Sequence, residues 1–210
     1  MERREIMFTT RWLAPTEAPR RAVVFLHGRA QSAPSAQVMA RRLSAPDTLL
    51  VLPEAPSHSW YPGSFLAPSD VNERQLKASL LYLEDLIGKI VQTGIRSDAI
   101  TLAGFSQGAA LASEFVGRSQ FRYQSLIAFT GARIGPWDIP WADRSPLNGM
   151  PMHFSASIRD LFVPFRRIKE TVVHFAQRGA VINLLSFDDS EHEVREEEYS
   201  AARLIITKDE

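Results

Sequence analysis

The stretch Gly104-Phe105-Ser106-Gln107-Gly108 constrains this chain more than any other. It sets a serine between a strand-like run, Ile100-Thr101-Leu102-Ala103, and a helix-favouring run, Ala109-Ala110-Leu111-Ala112-Ser113. A strand that turns sharply into a helix around a serine exposes the hydroxyl in a strained conformation, the geometry of a nucleophile elbow. Such a turn brings neighbouring backbone so close that a β-carbon at 104 or 108 would clash, which accounts for the two glycines. The pattern is short, and its weight comes from the strand before it and the helix after it.

Strand-like and helix-like segments alternate around the elbow. Ala22-Val23-Val24-Phe25-Leu26, ending at His27-Gly28, and Leu49-Leu50-Val51-Leu52, closed by Pro53, are continuous apolar runs of the kind found in strands buried on both faces. From Asp70 to Thr93, Leu76, Leu80, Leu83, Ile87 and Ile90 fall at helical spacing, and Gly94 is placed to end the helix. The elbow helix runs from about Gln107 to Arg118, and Ser125 to Phe129 is the next strand. Met152 to Ala156 reads as a short strand. Pro164 suits the first turn of a helix carrying Phe165, Ile168, Val172 and Phe175 on one face, with Gly179 beyond it. Val181 to Phe187 is the last strand and Val194 to Ile206 the last helix. This order predicts an α/β fold: a mostly parallel twisted sheet with helices on both faces, ligands binding at the carboxyl ends of the strands. No linker divides the chain, so residues 1–210 are expected to form one domain, with the Pro-rich stretch from Gly135 to Pro151 as a surface excursion.

Composition narrows the function. Lys plus Arg and Asp plus Glu number 24 each, so no net positive field favours nucleic acid or anionic lipid. The absence of cysteine excludes disulfides, thiol catalysis and thiolate metal sites. No stretch approaches the length of a membrane span, and Met1-Glu2-Arg3-Arg4-Glu5 precedes no apolar run of signal-peptide length. A cytoplasmic protein is the resulting expectation.

A nucleophilic serine needs a base to take its proton and an acid to orient that base. His153, His174 and His192 follow Ser106. His153 falls inside a strand and His174 inside a helix, whereas His192 lies in the loop between the last strand and the last helix, where the base must be. Asp160 is in the loop after the preceding strand. Its rivals are weaker and read as solvated carboxylates: Asp138 and Asp143 sit on the Pro-rich excursion, and Asp188 and Asp189 are close enough to His192 to be turn residues. Two backbone amides, Gln107 after the elbow and Arg29 after the first strand, are placed to bind an oxyanion. Trp60, Tyr61 and Phe65 after the second strand, with Leu161 and Phe162 after Asp160, supply apolar groups for an acyl or aryl pocket. No metal or cofactor is implied. Trp137 and Trp141 are open to three roles: covering the pocket, contacting a second copy in a homodimer, or neither.

Leu26-His27-Gly28-Arg29, Pro53-Glu54-Ala55-Pro56, Ser59-Trp60-Tyr61-Pro62, Gly104-Phe105-Ser106-Gln107-Gly108-Ala109, Asp160 with Val163-Pro164, and His192 occur in an order that resembles the phospholipase/carboxylesterase family. Gly131-Ala132-Arg133-Ile134-Gly135-Pro136 looks more like its dioxygenase-associated bacterial branch than its eukaryotic thioesterases. The resemblance implies an α/β-hydrolase without a cap domain, ester hydrolysis by Ser106, Asp160 and His192, and the Arg29 and Gln107 amides as oxyanion hole. Three departures stand out. Ala30 replaces a frequent glycine, Glu191 replaces the usual glycine before the histidine, and Thr130-Gly131-Ala132-Arg133 replaces a small-residue pair. A Glu191 carboxylate facing the His192 ring would raise its pKa. The expected activity is hydrolysis of short-to-medium acyl or aromatic carboxylic esters, with a small-molecule ester as partner. Long-chain acyl-protein thioesterase activity and a non-catalytic ligand-binding fold are the alternatives.

Overall fold

The computed structural model describes residues 7–137, 140–143 and 145–206. The elements run β1 Thr9–Leu13, β2 Arg21–Leu26, α1 Ala33–Arg41, β3 Thr48–Glu54, α2 Ser69–Gln92, β4 Ile100–Phe105, α3 Gln107–Arg118, β5 Ser125–Phe129, β6 Pro151–Ser157, α4 Phe165–Gln177, β7 Val181–Phe187 and α5 Glu196–Ile206. The strands form one seven-stranded sheet in the order β1-β3-β2-β4-β5-β6-β7. Every neighbouring pair is parallel except β1 with β3.

The apolar runs that mark β2, β4 and β5 are buried throughout, apart from partly exposed Arg21, because helices cover both faces of the sheet. Leu76, Leu83 and Ile90 of α2, Ala109 and Phe115 of α3, and Ile168 and Phe175 of α4 pack on one face with Leu26 and Leu102. Ala36 and Ala40 of α1 and Tyr199, Ala202 and Ile206 of α5 pack on the other with Phe25, Ala103 and Phe129. Alternation along each strand sends successive side chains to opposite layers, so the two cores share strands without sharing side chains.

Two elements lie outside the sequence expectation. β1 joins the sheet edge antiparallel, pairing Thr9 with Glu54 and Leu13 with Leu50. α1 buries only alanines, Ala33, Ala36 and Ala40, too small to mark an amphipathic stripe. The α2 boundary falls where Gly94 predicts it, and Gly94 adopts φ 97°, the left-handed conformation in which a glycine ends a helix.

Candidate active site

The strand-to-helix turn at Ser106 sits at the middle of the sheet. Ser106 has φ 52° and ψ −117°, and its amide donates to the Phe129 carbonyl at 2.9 Å. A β-carbon at Gly108 would lie 2.1 Å from the Leu26 carbonyl oxygen, and one at Gly104 would lie 2.6 Å from the Gly108 carbonyl carbon. Both glycines are therefore required by close backbone packing, and that packing holds the serine in its strained conformation.

Three carboxyl-end loops bring Ser106, His192 and Asp160 into one line. His192 Nε2 lies 3.0 Å from Ser106 Oγ, and His192 Nδ1 lies 2.6 Å from Asp160 Oδ2. The Asp160 carboxylate is buried, and its other oxygen accepts the amides of Phe162 at 2.7 Å and Val163 at 2.8 Å. Burial pushes the Asp160 pKa up, but the hydrogen bonds from His192, Val163 and Phe162 outweigh it and hold the carboxyl below the usual range. With Asp160 an anion and an acceptor only, the proton between them belongs to His192 Nδ1, which leaves Nε2 free to accept from the serine hydroxyl. The imidazole contacts the rings of Phe105, 5.1 Å away, and Phe162, 4.9 Å away, both tilted against it.

Neither the Arg29 amide nor the Gln107 amide donates a hydrogen bond among the described residues. Their side chains do more than the sequence suggests. The Arg29 guanidinium donates to Ser59 Oγ and to the carbonyls of Tyr61, Pro62 and Gly63. The Gln107 carboxamide accepts the Trp60 amide at 3.1 Å and donates to the Tyr61 carbonyl at 2.7 Å. Both residues thus clamp segment 59–63 over the elbow. His27, on the strand that leads to Arg29, donates from Nδ1 to the Gly28 carbonyl and accepts the Ala55 amide on Nε2. Burial lowers its pKa, so it is neutral and orders its own loop. His58 is exposed and faces Glu54 rather than Ser106.

A cavity of about 420 Å³ opens beside Ser106, lined by Tyr61, Phe65, Ala110, Ala132, Phe162 and Val163 among others. Tyr61, Phe65 and Phe162 are in its wall as expected. Trp60 is not: it is fully buried, its indole N–H donating to the His27 carbonyl at 2.9 Å. The chain bends at residues 60–63, and Tyr61 lines the cavity while the Trp60 indole is turned to the His27 carbonyl. Leu161 is also outside the wall, 86% exposed beside the mouth. Ala110, missed in the sequence, is legible in hindsight, since it lies one helical turn beyond Ser106 and presents the same face. Ala132 has no such signal.

Ala30 adopts φ 63°, a left-handed conformation that costs an alanine about 1–2 kcal/mol and a glycine nothing. Glu191 is exposed and makes no ion pair with His192 among the described residues. Its carbonyl, not its carboxylate, is the group in use, accepting Ser157 Oγ at 2.6 Å.

Asp143 is not the solvated carboxylate its loop position suggests. Its two oxygens accept from Arg133 Nη1 at 2.7 and 2.8 Å, and it contacts Arg178 and, at 3.0 Å, His174 Nε2. Arg133 also pairs with buried Glu114 at 3.0 Å. Trp141 donates its indole N–H to the Ile134 carbonyl, with Arg133 and Arg167 over its ring, and Trp137 lies under Arg166 and Arg167. Neither tryptophan lines the Ser106 cavity. Asp138 lies outside the described residues. Asp188 pairs with Arg159 and Asp189 with Arg195, away from the His192 ring. His153 is buried against Asn183.

A mostly parallel sheet flanked by helices, with a serine at the central strand-to-helix turn, defines an α/β-hydrolase fold. The chain belongs to the phospholipase/carboxylesterase family, whose sequence pattern it matches over residues 10–208. A phospholipase/carboxylesterase from Dyadobacter fermentans is 29% identical, with a TM-score of 0.88 over 98% of each chain. A carboxylesterase from Mesorhizobium loti is 18% identical and shares the fold, with a TM-score of 0.77 over 95% of this chain and 94% of that one. Acyl-protein thioesterase 1 from Cryptococcus neoformans is 31% identical over 47% of this chain, a match that spans 49% of the thioesterase. Among the described residues no helix is long and apolar enough to cross a membrane, and no group of three or more His, Asp or Glu is arranged to hold a metal ion.

Proposed function

We propose that the chain is a serine carboxylesterase acting on short-to-medium acyl or aromatic carboxylic esters. The observation that carries this reading is the line Ser106–His192–Asp160, at 3.0 and 2.6 Å, beside an apolar cavity. His192 takes the Ser106 proton as Oγ attacks the ester carbonyl, and Asp160 holds the tautomer and stabilises the imidazolium. The Arg29 and Gln107 amides receive the oxyanion, and the Gln107 amide does so at the N-terminus of α3, where the helix dipole adds to the field. His192 then protonates the leaving alcohol and activates the water that releases the acid.

The Arg29 guanidinium is committed to four acceptors of segment 59–63 and is not offered to a ligand. With a mostly apolar wall, the cavity suits an uncharged acyl group. The Cryptococcus thioesterase supports a second reading, long-chain acyl-protein hydrolysis by the same residues. Hydrolysis of p-nitrophenyl esters graded from acetate to palmitate separates the two. An optimum at short chain lengths supports the carboxylesterase reading, and activity rising to palmitate replaces it with the thioesterase one. Absence of a cysteine is compatible with a cytoplasmic setting, which belongs to the same proposal.

A further inference from the structure

Glu198 is fully buried on the first turn of α5, the helix that follows the His192 loop and packs on the sheet. Its Oε2 accepts the Arg195 amide at 2.6 Å. That bond, from the residue before the helix to a side chain three positions later, is half of a capping box. The other half is missing, because Arg195 has no side-chain acceptor with which to cap the Glu198 amide. Instead its guanidinium reaches back over the loop. It donates to both oxygens of Asp189 at 2.8 Å, approaches Ser157 Oγ at 3.4 Å, and lies over the Phe187 ring. Ser157 Oγ in turn donates to the Glu191 carbonyl, the residue adjoining His192.

We infer that Glu198 is a positioning residue for His192: by fixing the Arg195 backbone it fixes the clamp through which Asp189, Ser157 and Glu191 set the imidazole against Ser106. The inference rests on the proposed roles of Ser106, Asp160 and His192. Glu198 touches none of them and acts through the loop alone. Its second oxygen, Oε1, is buried, and the Arg195 guanidinium comes within 3.8 Å of Oε2. Burial raises its pKa, offset only in part by Ser155, the Arg195 amide and the Arg195 charge. A glutamine is the isosteric counterpart of this side chain and keeps an acceptor for the Arg195 amide.

The test is kcat and KM for p-nitrophenyl acetate, normalised to sites titrated with a fluorophosphonate, for wild type, Glu198→Gln, Glu198→Ala and Ser157→Ala. A misplacement of about 1 Å at a reacting group costs about a hundredfold and a smaller loop shift less, so Glu198→Ala is expected to lower kcat per titrated site about tenfold with KM nearly unchanged. Glu198→Gln, which keeps the acceptor for the Arg195 amide, is expected to restore kcat to within about twofold of wild type. Ser157→Ala cuts the same clamp above Glu198 and is expected to lower kcat about threefold, which decides the matter even where Glu198→Ala does not fold. A purely structural Glu198 would lower the melting temperature and the number of titrated sites while leaving kcat per site intact. Wild-type kcat per site in Ser157→Ala, or in a folded Glu198→Ala, overturns the inference. A folded wild type that neither labels nor turns over overturns instead the reading of the site on which it rests.

Discussion

Among the described residues two histidine–aspartate contacts occur, and they differ in what lies on the far side of the imidazole. His192 meets Asp160 through Nδ1 at 2.6 Å, with Ser106 Oγ on the opposite nitrogen. His174 meets Asp143 through Nε2 at 3.0 Å, and among the described residues no hydroxyl hydrogen-bonds its ring. The acids differ as much as the histidines. Asp160 is satisfied by two backbone amides and keeps its charge for the imidazole, whereas the charge of Asp143 is shared with Arg133 and Arg178. Burial lowers the His174 pKa, Asp143 partly restores it, and the two arginines lower it again. A histidine beside a carboxylate is thus a base in waiting only where the carboxylate is not already spent on other cations and a nucleophile lies on the far nitrogen. Position decides which case arises: the first contact joins loops at the carboxyl ends of β4, β6 and β7, the second joins α4 to the excursion after β5.

Substitution separates the two contacts most sharply at the serine and histidines. Ser106→Ala and His192→Ala are expected to lower esterase kcat by a factor on the order of 10⁶, as loss of a nucleophile or base does elsewhere. His174→Ala is expected to leave kcat within about threefold, and comparable losses at both histidines would erase the distinction. The acids come next. Asp160→Asn presents the wrong tautomer to Ser106 and should cost about 10⁴ in kcat with the fold retained. Asp143→Asn should leave turnover nearly intact but destabilise by about 1–3 kcal/mol, measured by urea unfolding, because it weakens the bonds of Arg133 and Arg178.

That destabilisation carries a pH signature. Burial raises the Asp143 pKa, but the His174 and Arg133 hydrogen bonds and the arginine charges bring it below its ordinary value of 3.8. A carboxyl with a depressed folded pKa contributes stability above its unfolded pKa and loses it as pH falls through the folded one. The stability gap between wild type and Asp143→Asn is therefore expected to be full at neutral pH and to shrink below about pH 4. A gap that widens on acidification would contradict the assignment of Asp143 as an anion.

Smaller effects sharpen the site's edges. Ala30→Gly relieves a left-handed alanine at the price of unfolded-state entropy, for a net gain of up to about 1 kcal/mol and no change in kcat. Glu191→Gln is expected to leave the pH–rate profile unchanged, since the exposed carboxylate makes no contact with the His192 ring. A displaced profile would restore the through-space coupling to His192.

Much of this arrangement was legible in the sequence because it depends on local order. The runs at β2, β4 and β5 are buried on both faces and leave unbroken apolar stretches, and the elbow needs its glycines within two residues of the serine. β1 was not legible: Thr9-Thr10-Arg11-Trp12-Leu13 is a half-exposed edge strand whose place depends on pairing with β3, far along the chain. α1 was hidden because alanines bury without a strong periodic signal. Trp60 could not be told from Tyr61 without knowing which way the segment turns. Asp143 looked solvated because its cations come from β5's following loop and from α4's end, partners that only the tertiary fold assembles.

The most direct test of the account is intact-protein mass spectrometry of wild type, Ser106→Ala and His174→Ala after exposure to a fluorophosphonate. The account predicts one adduct on wild type, mapped to Ser106, none on Ser106→Ala, and one on His174→Ala formed at the wild-type rate. A folded wild type that takes no adduct, or a Ser106→Ala variant that still takes one, would contradict it.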